Sequence, residues 1–256
     1  MKNIYCLLIV SFLCIFSLLP AGAQTLSEKD FQVLNMNDGL SDNDIHSVAK
    51  DTEGFMWFGT GSGLNRYDGR TFKVFRMPGI SYRRIDRVVS LDTDYLLLRS
   101  EQNLFLFDKK YERFLPVCDS VSKQPVMFAD FVADSDGSCW GVSSGELSEV
   151  NFPSSFVQDT AFVSVRHVVN NSQSDPFVVL CMGEDGKMLY CASRNGTVYR
   201  FTPGQRQLKK VCDGQLSSGR WVSSLLNDDS FIWIPTVGDG LYAVSYTHLT
   251  LPTNSR

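Results

Sequence analysis

Few residues in this chain have the types and spacing that could do chemistry. Imidazoles occur only at His46, His167 and His248. None stands near a serine or cysteine nucleophile with an acidic orienter close in sequence, so neither a catalytic triad nor a histidine metal site is expected. Ser120-Val121-Ser122-Lys123 has the S-x-x-K spacing of penicillin-binding enzymes, and Ser41-Asp42-Asn43 has their S-D-N spacing. The order is reversed, no K-T-G follows, and no helix is expected to carry the lysine. Gly59, Gly61 and Gly63 make a glycine-rich loop. A phosphate-binding loop leads from a strand into a helix whose N-terminus holds the anion, whereas this one leads into another strand. Acidic turns such as Asp134-Ser135-Asp136-Gly137 are too short for a calcium loop and lack its closing glutamate. No catalytic residue, metal or cofactor is expected, and the chain is not expected to be an enzyme.

The net charge of −4 gives no basic field for nucleic acid. A hydrophobic content of 43% with 20% charged residues is that of a folded globular protein. Lys2, the apolar run Ile4 to Leu19 and the small residues Ala21-Gly22-Ala23 have the layout of a secretory signal peptide, with cleavage before Gln24. Residues 1–23 are therefore read as a leader, and the mature chain as exported. It would keep Cys118, Cys139, Cys181, Cys191 and Cys212, an odd number without paired spacing. One bridge, Cys181 to Cys191, stays open at this point; the alternative is that all five are small buried apolar side chains.

The elements that would position any site are strands. Short β-branched and aromatic runs alternate with Gly, Asp, Asn and Ser turns, and no sustained 3.6-residue periodicity appears. A strand-turn-strand unit recurs, and aligning Trp57, Leu97, Trp140, Tyr190 and Trp233 gives steps of 40, 43, 50 and 43 residues. That period belongs to the four-stranded blades of a β-propeller, so the fold class is all-β, with about five blades over residues 24–245. The first unit places strands at Asp44–Lys50, Phe55–Thr60, Leu64–Asp68 and Thr71–Arg76. The others run over Ile85–Val117, Val126–Val169 and Phe177–Cys212, with a fifth, incomplete unit from Trp221 whose third strand is Leu241–Ser245. Phe31–Met36 is expected to be a lone strand that supplies an outer edge to the last blade. The large second-strand rings should fill the wedges between blades, with Leu64, Leu104, Leu147, Val198 and Leu241 packing beside them. Residues 246–256, YTHLTLPTNSR, break the repeat and resemble translated adapter sequence. They are read as a non-native tail, the natural chain continuing beyond Ser245.

The segment from Gly39 to Arg76 closely resembles the two-component regulator propeller repeat. Its motif is carried by Asp51, Gly54, Trp57, Gly59, Thr60, Gly63, Leu64, Arg66, Tyr67, Asp68 and Gly69. The unit from Asp134 keeps Asp134, Gly137, Trp140, Gly145 and Leu147, and the others are weaker. A leader followed directly by this repeat is similar to the start of a Bacteroides-type hybrid two-component sensor histidine kinase. The resemblance implies a periplasmic ligand-binding propeller, a glycan-derived oligosaccharide as ligand, a homodimer in the full-length protein, and a membrane anchor and kinase lying downstream of this segment.

In a propeller, the loops entering the inner strands and those joining second to third strands share one face. Tyr82, Arg83, Arg84, Arg194, Asn195, Arg220 and Trp221 are the ligand-binding candidates there, combining aromatic faces with fork-shaped donors. The competing readings are a propeller enzyme of lyase or glycoside-cleaving type and a scaffold for protein partners.

Overall fold

The structure is a computed structural model that describes residues 32–79, 84–133, 139–153, 156, 159–170, 175–183, 186–214, 216, 219–228 and 230–245. The leader, the tail, Tyr82, Arg83 and Asp134 lie outside these residues. The chain divides into two units, Met1–Leu34 and Asn35–Arg256. The described part of the first, residues 32–34, has no regular structure.

The second unit is a series of antiparallel meanders. The first sheet is β1 (Ile45–Lys50), β2 (Met56–Thr60), β3 (Gly63–Tyr67) and β4 (Phe72–Phe75), paired in that order. The second is β5 (Arg87–Ser90), β6 (Tyr95–Ser100), β7 (Asn103–Asp108) and β8 (Arg113–Asp119). The third is β9 (Asp130–Ala133), β10 (Cys139–Ser143), β11 (Glu146–Asn151) and β12 (Ala161–Asn170). The fourth is β13 (Phe177–Met182), β14 (Leu189–Ser193), β15 (Val198–Thr202) and β16 (Gln207–Cys212). In the fifth, an interrupted inner strand, β17 (Trp221–Val222) and β18 (Leu226–Asn227), pairs with β19 (Phe231–Val237), which pairs with β20 (Leu241–Ser245). This is the expected β-propeller plan. One feature departs from a simple meander. The outer strands β8 and β12 pair in parallel, Ala161 with Val117 and Val163 with Asp119, so the second and third blades share one eight-stranded sheet.

The core is divided into four wedges, one between each pair of successive blades. Trp57 and Leu64 of blade 1 pack with Val88, Leu96, Leu98 and Phe107 of blade 2. Leu97 and Leu104 meet Phe131, Cys139 and Val150 of blade 3. Trp140 and Leu147 meet Phe177, Leu180 and Phe201 of blade 4. Tyr190 and Val198 meet Val222, Ile232 and Ile234 of blade 5. The aligned second-strand residues of blades 1 to 4 thus face forward onto the next sheet. A blade cannot cover this face by itself, so the wedges are what makes the repeat stable. Trp57 lies between the rings of Phe75 and Phe107, with centroids at 5.8 and 5.6 Å.

Two expectations need correction, and one open alternative is decided. Residues 32–35 are not a strand, and Met36–Asp38 forms a turn of 3-10 helix. Asn35 Oδ1 accepts from the N–H of Asn37 while Asp38 Oδ2 accepts from that of Asn35, a capping box that overrides the strand preference of the preceding Val33-Leu34. Leu241 is exposed rather than packed, and Trp233 is half-buried, because no described sheet follows to cover that face of blade 5. The open alternative is decided for small buried side chains at Cys181 and Cys191, which are both free. Cys181 stands opposite Tyr190 and Cys191 opposite Leu180, so the two thiols point to opposite faces of one hairpin and enter different wedges. Burial, with Asp130 adding and Arg87 opposing, pushes the Cys181 thiol up to about 12.

The acidic turns have a structural use that the sequence reading did not identify. Asp51 Oδ1 accepts from the N–H groups of Glu53 and Phe55, and Oδ2 accepts from the indole Nε1 of Trp57 at 2.8 Å. Asp228 repeats this with Ser230, Phe231 and Trp233. Asp92 closes the same turn, through Asp94 and Tyr95, in a blade without the tryptophan. One carboxylate therefore holds the hairpin turn and orients the wedge ring. The Asp51 side chain is fully buried and lies 3.5 Å from the buried ammonium of Lys109 in blade 2.

We expect Trp57→Ala to cost about 3–5 kcal/mol, read as a lower denaturation midpoint in urea, because the wedge around it is closed on every side. Burial would raise the Asp51 carboxyl, but the Trp57 indole, Lys109 and the N–H groups of Phe55 and Glu53 outweigh it and hold it below its ordinary 3.8. A carboxyl whose folded value is depressed stabilises above its unfolded value and loses that contribution as pH falls through the folded one. Stability should therefore decline as pH is lowered from about 5 towards 2. Asp51→Asn should flatten that decline in a melting series, and an unchanged acid slope in the variant would contradict this assignment.

Candidate functional site

The blade connections converge on one face, here called the upper face. In blade 1, Gly61 N–H donates to Asp44 O, and Ser62 Oγ donates to Asp42 Oδ2. In blade 2, Ser100 Oγ donates to Arg84 O. In blade 4, the N–H groups of Arg194 and Asn195 donate to Pro176 O and Asp175 Oδ1. In each case the loop entering the inner strand meets the turn between the second and third strands. Small residues allow this approach: a Cβ on Gly59 would lie 2.7 Å from Ile85 O, and one on Gly61 2.8 Å from Asp42 Oδ2. Gly59 thus serves packing between blades 1 and 2, and Gly61 serves loop packing within blade 1.

Five candidates fall on described residues, and the structure does not bring them together as one site. Arg84 pairs through Nε with Asp86 at 2.5 Å. Arg194 is exposed at a turn. The neighbouring Asn195 spends its Oδ1 on Ser193 Oγ and on the N–H and Oγ1 of Thr197, so its oxygen shapes the turn. Arg220 stands 3.9 Å from Asp239, which also accepts from the Tyr242 hydroxyl, and Trp221 beside it is exposed. No described contact joins these groups across blades 2, 4 and 5.

The residues that do converge were missed, apart from Arg84. Arg87 and Arg99 are direct cross-strand partners at the upper ends of β5 and β6. Like charges placed opposite each other on one sheet face repel. Arg87 is relieved by Asp130 of blade 3, with Nη1 to Oδ1 at 3.0 Å, and its guanidinium lies over the Phe131 ring. Asp130 in turn accepts the N–H of Leu180 in blade 4 through Oδ2. Ser47, the blade 1 counterpart of Arg87, similarly accepts the N–H of Val88 in blade 2. This inner-strand position therefore links neighbouring blades, by an acceptor in blades 1 and 3 and by a cation in blade 2. Arg99 has no such direct partner. It is half-buried, its Nε is shut off from solvent without a hydrogen-bond partner, and Asp130 and Asp86 act on its charge only through their field. The signal that could have exposed it was the register, since only a fixed hairpin puts Arg99 opposite Arg87.

A cleft of about 320 Å³ lies between the 119–128 connection and β11–β12. It contains Ser148, Glu146 and His167. Ser148 Oγ and Glu146 Oε2 approach the same imidazole nitrogen, Nδ1, at 3.0 and 3.1 Å. A relay needs the serine on one ring nitrogen and the carboxylate on the other, so this trio is not arranged for nucleophilic catalysis. Ser120 and Lys123 sit on a turn, with the lysine ammonium over the Phe162 ring. Among the described residues no three His, Cys, Asp or Glu side chains gather as metal ligands. No described helix is long and apolar enough to cross a membrane.

The model of the two-component regulator propeller repeat matches residues 39–62. A curated relative, histidine kinase P4 of Formosa agariphila, is 37% identical over 78 residues, which is 30% of this chain and 5% of that protein. Among solved structures, an extracellular domain ascribed to a hybrid two-component system of B. thetaiotaomicron has a TM-score of 0.62 at 18% identity. That likeness covers 86% of this chain and 31% of that one. A catalytically inactive virginiamycin B lyase from Staphylococcus aureus has a TM-score of 0.58 at 12% identity, over 88% of this chain and 74% of its own. The two structural likenesses establish the propeller fold, and the repeat match is confined to residues 39–62. The chain spans a small part of the curated relative and about a third of the hybrid-system domain.

If Asp130 ties three blades, Asp130→Ala strands Arg87 and the N–H of Leu180 together. It should lower stability in urea by about 3–5 kcal/mol. Asp86→Ala leaves Arg84 free to turn to solvent and should cost under about 1 kcal/mol.

Proposed function

We propose that this chain is the ligand-sensing propeller of a two-component signalling protein. It is exported to the periplasm and recognises a glycan-derived ligand non-covalently on its upper face. The observation that carries this reading is the regulator-propeller repeat at residues 39–62, set in a fold shared with the extracellular domain of a hybrid two-component system. The histidine kinase relative supports the same reading over 78 residues. The upper face offers what a sugar-binding surface uses: exposed Trp221, the arginine forks of Arg84, Arg194 and Arg220, and aspartates between them. The mechanism is differential binding. A ligand that prefers one arrangement of a sensor dimer shifts the population towards it, and the shift is read across the membrane by the rest of that protein.

The test is calorimetry and thermal melting of this propeller with oligosaccharides of differing linkage and charge, with reaction products assayed in the same tubes. A ligand at a hundredfold its Kd adds about 2.7 kcal/mol. For a domain of this size that is a rise on the order of 5–10 °C in Tm. A saturable rise without cleavage products supports sensing. Released products would move the protein to the lyase or glycosidase class, and no response to any oligosaccharide would overturn the glycan assignment.

A further inference from the structure

We propose that Arg99, flanked by Arg87 and Arg84, is an anion-recognising point of the upper face. It would take the oxyanion of an acidic ligand, a carboxylate or a sulfate ester, at the junction of blades 2 and 3. This deepens the sensor reading by naming a subsite and a ligand chemistry for it.

Three observations lead there. The first concerns the repeat. Counting two residues on from each wedge residue gives Gly59, Arg99, Val142, Ala192 and Pro235. Blades 1, 3, 4 and 5 fill this position with a small or apolar residue, and Gly59, Val142 and Ala192 are buried. Blade 2 alone puts a cation there. Nothing in the scaffold calls for it, since the other blades are built without one.

The second is charge. Arg84, Arg87 and Arg99 face two carboxylates, Asp86 and Asp130, so the group carries one positive charge in excess within a chain of net charge −4. Both carboxylates are committed, Asp86 to Arg84 and Asp130 to Arg87 and two backbone N–H groups. Burial is the main influence lowering the proton affinity of Arg99; Asp130 and Asp86 oppose it, while Arg87 and Arg84 reinforce it. A guanidinium nonetheless stays charged in proteins, so it needs a counter-charge rather than losing its proton.

The third is geometry. Arg99 Nε is shut off from solvent without a partner, and an unmet charged donor in such a place is costly. Arg99 shares a sheet face with Leu97, which turns towards blade 3, so its guanidinium stands above the wedge between blades 2 and 3. The planar fork matches a carboxylate with two parallel N–H···O bonds, and it can also grip a sulfate. An incoming oxyanion at the accessible part of the side chain would offset the excess charge.

The experiment compares sodium glucuronate, glucose and glucose 6-sulfate by titration calorimetry at low ionic strength, using the whole chain and its Arg99→Met, Arg99→Lys and Arg70→Met variants. The expected result is binding of glucuronate or glucose 6-sulfate, with glucose at least about tenfold weaker. Whichever acidic sugar binds identifies the oxyanion. Arg99→Met should lose at least about tenfold in affinity, Arg99→Lys less, and the exposed-site control Arg70→Met nothing. Ligand-free melting separates recognition from structure. Arg99→Met should melt at or above the wild-type temperature, because it removes an unpaired charge from a partly buried place. A lower melting temperature for that ligand-free variant would show Arg99 to be a scaffold residue. Acidic sugars that bind the wild type and Arg99→Met equally, or that bind neither, would also overturn the proposal. Neutral oligosaccharides binding independently of Arg99 would sink the anion site and leave glycan sensing intact. Acidic sugars held through Arg99 while no oligosaccharide binds would do the reverse.

Discussion

Everything in this molecule depends on one sheet covering the next. A four-stranded meander has two faces, and each blade leaves a large second-strand side chain on the forward one, where only the following blade can bury it. Trp57, Leu97, Trp140 and Tyr190 occupy that place in turn and are almost fully covered. Burying such a side chain contributes about 1.5–3 kcal/mol from apolar area. The repeat unit, taken energetically, is therefore the interface between two blades. This is why the apolar core forms four wedges and no single mass.

The wedge imposes a polar requirement, because an indole brings an N–H into a closed space. Asp51 meets it with the carboxylate that also closes the preceding turn, so the turn and the ring are fixed together. Lys109 then reaches over from blade 2 to the same oxygen, which ties the polar pair to the apolar contact it serves. The motif residues Asp51, Gly54, Trp57, Gly59 and Leu64 are accounted for by this construction. Gly54 has a φ of +95° in the turn, and Gly59 leaves room for the backbone of Ile85. The most recognisable stretch of the sequence is thus a stretch of scaffold.

That explains what could be read from the chain and what could not. Periodicity is carried by large side chains at fixed offsets, so the blade positions were legible even where Leu97 and Tyr190 replace tryptophan. Phe177–Cys212 and Leu241–Ser245 were placed to the residue. The parallel joining of β8 to β12 was not legible, since no local turn encodes a pairing between outer strands of different blades. Nor was the role of Asp51, since an acidic turn reads the same whether its second oxygen meets water or an indole. The strand expected at Phe31–Met36 failed for a local reason, as the caps at Asn35 and Asp38 outcompete a short apolar pair. On the upper face, loops offered Arg84, Arg194 and Arg220 by exposure. Arg87, Arg99 and Asp130 stayed hidden because they lie on strands and meet only once register and blade order are set.

A repeat architecture separates construction from recognition in a way that a single-core fold does not. Positions that serve a wedge must be alike in every blade, because each interface is solved in the same way. A position free of that duty can differ between blades without loosening the ring, and such differences are where one propeller can be told from another. The inner-strand acceptors Ser47 and Asp130 show the shared solution, each capping an N–H of the following blade. Arg87 reverses its polarity and uses Asp130 as a partner, and Arg99 opposite it inherits a repulsion that the other blades do not have. A local rule is broken there, in the middle of sheets that otherwise obey it, and no gain in packing accompanies the break. Asp130 and Asp86 offset part of the Arg99 charge through their field, and on the proposed reading an incoming oxyanion supplies the rest.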